Sequence, residues 1–473
     1  MKALLRTFRY LKPYLLMSVA ALFALLISTA GNLAIPAVSQ YVIDAGIAQH
    51  QPSVLLRGAL MLVGIALIRA LFSFLQGHLS AKVSQGVAYD LRNQLYEKIQ
   101  RLSFSYHDQS QTGQLLTRVT SDVELIHSFL GSALLQSLGA VAMLVGSFVL
   151  MFIISLRTAL VLLALGPVAV GVFAFFFMKA RPLFTEAQQR LEALNIALQE
   201  NLVGVRVVRA FVRRAFEMER FAARNEAVMA IQLKVGRIMA FAIPIIFLIA
   251  NLATLGVTWV GGIQVISDRM TIGALVALSN YILMAIFPVF MLSFLLANMA
   301  QAAAGAQRIF EILDAHIEIQ DEPDAQPLTD VRGRVTFDQV GFRYFEHQPW
   351  ILQKIDFEAP PGHKVALLGA TGSGKSTITN LIPRFYDATR GRVLIDGRDV
   401  REIALDSLRR QVGIVLQEPL LFTGTIRENI IFGRPEATMD EVIAVAKAAQ
   451  AHDFISALPE GYEAPVGERG VNL

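Results

Sequence analysis

The sequence predicts two folds in series: an α-helical membrane domain of six transmembrane helices with long cytoplasmic helical extensions, then an α/β P-loop domain. Three observations predict this. Hydrophobic residues make up 54% of the 473 residues and charged residues 17%, against about 25% charge in soluble domains, so much of the chain belongs in lipid. Six apolar stretches recur at the length needed to cross a bilayer. Beyond them come short β-branched runs broken by turns, with GATGSGKST at Gly369–Thr377.

Crossing the hydrocarbon core takes about 20 mostly apolar residues in a helix. The qualifying stretches are Leu15–Pro36, Leu55–Gly77, Phe129–Leu156, Ala159–Met178, Ile238–Gly261 and Ile272–Met299. Lys2, Arg6, Arg9 and Lys12 precede the first in the manner of a signal peptide. Its apolar run is too long for a signal core, so it reads as a retained span behind a cytoplasmic segment, residues 1–14. Arg57 and Arg69 interrupt the second stretch, near enough to its ends for their stems to snorkel. Six such stretches in a row argue against helices buried in a soluble protein.

Short and long connections alternate, the long ones being residues 78–128 and 179–237. Lys82, Arg92, Lys98, Arg101 and Arg118 lie in the first, and eleven basic residues from Lys179 to Arg237 lie in the second. The short connections hold little beyond Arg157 and Arg269. The positive-inside rule then puts both termini and both long arms in the cytoplasm. The net charge of +4 is therefore topological and needs no nucleic acid. There is no cysteine, which excludes disulfides, thiolate metal sites and cysteine nucleophiles.

Each long arm reads as helix, turn, helix. Leu191, Leu194, Leu198, Leu202 and Val205 recur at helical spacing. An extension of about 25 residues reaches nearly 40 Å beyond the membrane. The turns Ser105–Gln114 and Val205–Phe216 are candidate contacts with a cytosolic partner domain, or the tips of solvated hairpins. The membrane domain is placed at 15–304 and a polar linker with Asp314, Asp321, Pro323 and Pro327 at 305–334.

The α/β domain occupies 335–473. Val365–Leu368 is an apolar run suited to a buried parallel strand. Gly369, Ala370, Thr371, Gly372, Ser373, Gly374, Lys375, Ser376 and Thr377 follow, then a helix-compatible segment. This is strand–GxxxxGK[ST]–helix. Glycines let the backbone wrap a phosphate at φ values closed to other residues. Successive N–H groups and the helix N-terminus turn positive dipole ends to the anion. Lys375 adds a full charge for the β- and γ-phosphates of ATP, and the Ser376 hydroxyl suits Mg²⁺. Thr377 can donate to a phosphate nearer the sugar. Tyr344, 25 positions before Gly369, offers an aromatic face for a purine or a core residue for a strand. Gln417 follows the strand-like run Val412–Leu416; its amide can meet Mg²⁺ or an attacking water, or face solvent.

From the first span to Leu473 the chain resembles ATP-binding-cassette exporters of the bacterial multidrug and lipid-flippase type. The resemblance rests on TGQLLTRVTSDV at 112–123, ALQENLVGVRVVRAF at 197–211, the P-loop, IVLQEPLLFTGTIRENI at 414–430 and VGERG at 466–470. It implies that Tyr344 stacks on adenine and that Gln417 is the Q-loop glutamine. It makes the segment around Glu468 a sensor of the partner subunit's crossed-over arm, and the two turns coupling helices. A homo- or heterodimer of half-transporters in the bacterial inner membrane follows, with ATP and Mg²⁺ as cofactors. In the family VGERG is soon followed by a signature beginning Leu-Ser-Gly-Gly, and the chain ends where that would start. The Mg²⁺-binding Asp, the catalytic Glu and the switch His are absent as well. The nucleotide-binding domain is thus expected to be partial, with no catalytic residue of its own and no hydrolysis by the chain alone.

Two functions stand against each other. One is ATP-dependent export of lipophilic compounds, drug or lipid. The other is an ATP-binding regulatory subunit or nucleotide-gated channel without turnover. Met284, Phe287, Met291 and Phe294, with Phe290 adjacent and Pro288 as a kink, form either a pliable cargo surface or a helix-packing stripe on the sixth span. No acidic residue lies in mid-membrane to suggest an ion relay.

Overall fold

The structure is a computed structural model. It describes residues 2–417 and 420–467, leaving aside the side chains at 161–167, 169–170, 173, 287, 289–290, 293–294 and 296–297. The chain divides into two units, one of Met1–Leu102 with Tyr106–His316, the other of Ser103–Ser105 with Ile317–Leu473.

Six long helical stretches make up the first unit: Lys2–Ile47, Pro52–Arg101, Thr112–Ile154, Leu156–Val203, Arg214–Ile266 and Ile272–Leu313. Among the described residues four are long and apolar enough to cross a membrane, namely Lys2–Ile47, Pro52–Arg101, Thr112–Ile154 and Arg214–Ile266. The expected fourth and sixth spans fall on helices whose side chains are only partly described. Pro52–Arg101 has 50 residues and Arg214–Ile266 has 53. At 1.5 Å per residue each is about 75–80 Å long, far more than the roughly 30 Å of hydrocarbon, so long extensions are built in.

The helices pack in antiparallel pairs: Leu15–Tyr41 along Pro52–Arg101, Leu156–Val203 along Arg214–Ile266, and Leu134–Ile154 along Ile272–Leu313. Without a hydrophobic drive between helices in lipid, close approach over small residues matters. Val42 closes onto Gly58 and Leu33 onto Gly146. Gly31 lies under the Arg69 stem, so this arginine packs its methylenes against the first helix. One core gathers Met151, Val257, Leu278, Tyr281 and Ile282, and the Tyr281 hydroxyl donates to the Leu33 carbonyl at 2.8 Å. The helix Ile272–Leu313 starts at a double cap. Thr271 accepts from Ala274 N at 3.2 Å, and Asp44 accepts from Thr271 Oγ1 at 2.6 Å and Gly273 N at 2.8 Å. These satisfy N–H groups that a helix start leaves open.

A buried carboxylate braces the same unit. The Asp122 side chain is 2% exposed. It accepts from Arg308 Nε at 2.9 Å, from Arg308 Nη2 on its other oxygen, and from Arg118 Nη1 at 3.3 Å. The N-terminal segment is strapped down by Arg6, which bonds Asp314 and lies 4.0 Å over the Phe310 ring. That bond holds the Asp314 carboxyl below the usual carboxylate range.

In the second unit β1 (Val335–Phe342), β2 (Leu352–Ala359), β3 (Arg390–Ile395) and β4 (Arg398–Asp399) form an antiparallel sheet ordered β2-β1-β3-β4. Phe337 pairs with Phe357 on one side and Val393 on the other. Alternate inward residues Phe337, Val340 and Phe342 meet Leu352, Leu381, Ile403 and Leu408 in its core. β5 (Gly424–Thr425) pairs with β6 (Pro465–Val466) beside a smaller cluster of Ile426, Val442, Ile455 and Tyr462.

The structure corrects one expectation here. Val365–Leu368 is not a buried parallel strand: Leu368 is 93% exposed and the run has no ladder. Val412–Leu416 is likewise unpaired, with Val415 fully exposed at 100%. A strand exists only through its hydrogen-bonded neighbours, and among the described residues neither run pairs with a strand.

Candidate functional site

Within the second unit the glycine loop leads from extended chain into the helix Lys375–Leu381, held to the sheet core by Ile378 and Leu381. Gly372 and Gly374 have φ of +85° and +89°, the left-handed region the loop needs and other residues avoid. The loop closes on itself around a cation. Lys375 Nζ donates to the carbonyls of Gly369 and Ala370, both at 2.8 Å. A Cβ at Gly369 would stand 2.6 Å from Ser373 Oγ, so a side chain there would have to displace that hydroxyl. The Ser376 hydroxyl is exposed, while Thr377 is buried.

Tyr344, just past the end of β1, shares a hydrogen bond with Thr377 Oγ1 at 3.0 Å. Its ring meets Phe342 and Tyr386 edge-on, with centroids 4.8 and 5.1 Å away. The residue is thus joined to both the core and the loop helix. Gln417 lies on an exposed bend. Glu468 lies outside the described residues. Among those described, no group of three or more His, Cys, Asp or Glu could hold a metal ion. The residues fit a nucleotide phosphate: small residues, two left-handed glycines and an ammonium bound only to neutral groups, the Gly369 and Ala370 carbonyls and the Ser373 hydroxyl, which an anion outbids. A divalent cation would rely on the Ser376 hydroxyl, Gln417 and the phosphates themselves.

The two arm turns are also visible. Phe104, inside the second unit, lies 4.3 Å from the Phe385 ring and 6.2 Å from that of Tyr386, and Ser105 donates to Glu318. Tyr386 in turn meets Tyr344. The second turn contains the short helix Val205–Ala210 and leaves Val207, Phe211, Val212 and Phe216 exposed. Val212 has a φ of +55°, a costly conformation for a β-branched residue. Sequence reasoning missed the Asp122–Arg308 pair, whose members are 186 positions apart. Only the TSDV run hinted at it.

Comparison with known proteins agrees with this arrangement. The model of the ABC transporter transmembrane region matches residues 18–289, and that of the ABC transporter domain matches 352–469. The chain is 36% identical over 414 residues to an ATP-dependent lipid A-core flippase of Syntrophus aciditrophicus (strain SB), covering 88% of this chain and 69% of that protein. It is 33% identical over 475 residues to a putative multidrug export ATP-binding/permease protein of Staphylococcus aureus (strain NCTC 8325 / PS 47), covering 99% and 82%. Among solved structures, a bacterial Atm1-family ABC exporter with ATP bound superposes with a TM-score of 0.76 at 29% identity. That match covers 98% of this chain and 81% of the other.

Proposed function

Because the chain belongs to the ABC transporter family, we propose that it is one half of an ATP-driven exporter of lipophilic compounds, drug or lipid. The observation that carries this reading is one chain joining long apolar helices to a glycine loop closed around Lys375. The activities for which two relatives are named, lipid A-core flipping and putative multidrug export, support the cargo class.

The proposal includes six spans in a bacterial inner membrane, with both termini and both arms on the cytoplasmic side, where the basic residues concentrate. It includes a second half-transporter, identical or different. Its exposed, strained Val205–Phe216 turn would seat on the partner's nucleotide unit.

In this reading Lys375 leaves the Gly369 and Ala370 carbonyls and gives its three donors to the β- and γ-phosphates. The backbone N–H groups between Gly372 and Ser376 converge on the same anion. Ser376 and Gln417 turn their oxygens toward Mg²⁺. The Tyr344 ring stacks on the purine while its hydroxyl stays tied to the helix that carries Thr377. Bound Mg-ATP supplies the phosphoryl bond whose cleavage drives the cycle.

Charge-assisted contacts of this kind are worth about 1.5–3 kcal/mol. Lys375→Ala is therefore expected to weaken Mg-ATP binding by about tenfold or more and, in an assembly with complete cassettes, to abolish ATP-driven efflux of a lipophilic dye from proteoliposomes. Titration with a fluorescent nucleotide measures the first. Unchanged affinity would sink the assignment of the loop.

A further inference from the structure

The third long helical stretch, Thr112–Ile154, is not one uniform α-helix. Its backbone widens into π turns, with i→i+5 bonds, at Arg118–Asp122 and again at Phe129–Ala133. A short α segment, Val123–Ser128, separates them. Residues 80–96 of the second helix run beside these turns, joined to them by Ser80 and Arg92, and are α-helical throughout.

A π turn holds about one residue more than an α turn, and it leaves backbone carbonyls splayed away from their usual partners. Such turns are rare inside α-helices and concentrate at functional sites. Each of the two here has its own catch, on a different helix. At the turn nearer the span, Ser80 Oγ of the second helix donates to the Gly131 carbonyl. Only a glycine lets the helices come so close, since a Cβ at Gly131 would stand 2.7 Å from Ser84 Oγ and 2.8 Å from Ser84 Cβ. At the other turn the last helix grips Asp122 through Arg308. That helix also offers Gly305, where a Cβ would stand 3.2 Å from the Asp122 carbonyl oxygen. Between the catches Glu124 meets Arg92 at 3.6 Å, an exposed pair that holds little.

Exchanging i→i+5 bonds for i→i+4 bonds at one such turn lengthens the helix by roughly one residue's rise, about 1.5 Å, and rotates what lies beyond it. The exchange trades one backbone bond for another and leaves the helix unbroken. We infer that residues 118–133 are a joint at which the first arm bends and slips against its span, with Asp122–Arg308 and Ser80–Gly131 as its two catches. The joint lies between the turn Ser105–Gln114 and the apolar part of the helix. What the movement serves rests on the exporter reading; the joint itself does not.

The test is hydrogen–deuterium exchange, read by mass spectrometry, on the full chain in nanodiscs without nucleotide. Amides of residues 118–133 are expected to exchange about tenfold faster than those of the uniform α stretch 80–96 at the same depth. Ser80→Ala should speed residues 129–137 by a further factor of about three and leave 118–122 as they were. Asp122→Asn should do the reverse. Ser80→Thr keeps the hydroxyl and should keep the wild-type pattern.

Equal protection of 118–133 and 80–96 in the wild type overturns the joint. So does a rise spread evenly along Thr112–Ile154 in either variant, which marks a general loosening of the packing in place of two separate catches. The wild-type comparison stands even where a variant fails to fold. Because nucleotide is absent throughout, failure of ATP-driven efflux in a separate assay would count against the exporter reading and leave this result standing.

Discussion

Replacing Asp122 by asparagine keeps the shape of the side chain and removes its charge. In the folded protein the carboxylate is 2% exposed and accepts two bonds from Arg308 and one from Arg118, whose side chains are 35% and 22% exposed. Removing one member of a buried ion pair costs about 3–5 kcal/mol, because the other charge is left desolvated. Both arginines here keep some water, so about 2–3 kcal/mol is the appropriate figure for this site. At about 2–4 °C per kcal/mol for a large domain, the apparent Tm should fall by roughly 5–10 °C. Differential scanning calorimetry of the purified protein at one fixed scan rate reads this. The double variant Asp122→Asn with Arg308→Met removes the stranded charge and should recover part of the loss. A fall under about 1 °C in the single variant, or no recovery in the double one, would refute the stranded-charge reasoning.

Tyr344→Phe removes the bond to Thr377 and is expected to cost about 0.5–1.5 kcal/mol of stability with little change in nucleotide affinity. Tyr344→Ala should lower that affinity severalfold, and equal effects of both on titration would reject stacking. Asp396 is pushed up by burial but held below the usual range by N–H groups of Arg334, Arg332 and Gly333. A depressed carboxyl stabilises the fold above its unfolded value, about 3.9, and that stabilisation disappears as pH falls through the lower folded value. Urea midpoints followed by Trp350 in a Trp259→Phe background should therefore drop below about pH 4, and Asp396→Asn should flatten the drop. Cysteines at Arg209 and Gln417, in a chain with none of its own, should crosslink between subunits if the second arm turn seats on the partner. Crosslinks confined within one subunit would reject the crossed arrangement.

Features set by local periodicity and composition were legible in the sequence. The apolar stretches gave the long helices, and GATGSGKST gave a loop with two left-handed glycines and a lysine at its centre. Ser155 and Thr271 cap helices where short connections were expected. Features that depend on distant partners were not legible. The Asp122–Arg308 pair joins two helices far apart in the chain, and neither charge looks unusual in its own segment. A linear sequence likewise does not show Gly31 beneath the Arg69 stem. Val365–Leu368 had a strand's composition without a strand's neighbours, since pairing is decided by what lies alongside. Tyr344 sets its ring against the core, one of the two roles weighed for it, and its hydroxyl bond to the loop helix was not foreseen.

Those two unpaired runs have a consequence for handling the protein. Leu368, Val415 and Leu416 present exposed apolar side chains on backbone that belongs to no sheet. Such a surface is a template: any extended segment, including the same run of another molecule, can add to it by main-chain hydrogen bonds while hiding hydrocarbon from water. The segment from Ile317 onward, produced without the rest of the chain, should therefore self-associate in solution, with the rate rising in added sulfate. Lysine at Leu368 and Val415 would place charges on both templates and should keep that segment monomeric.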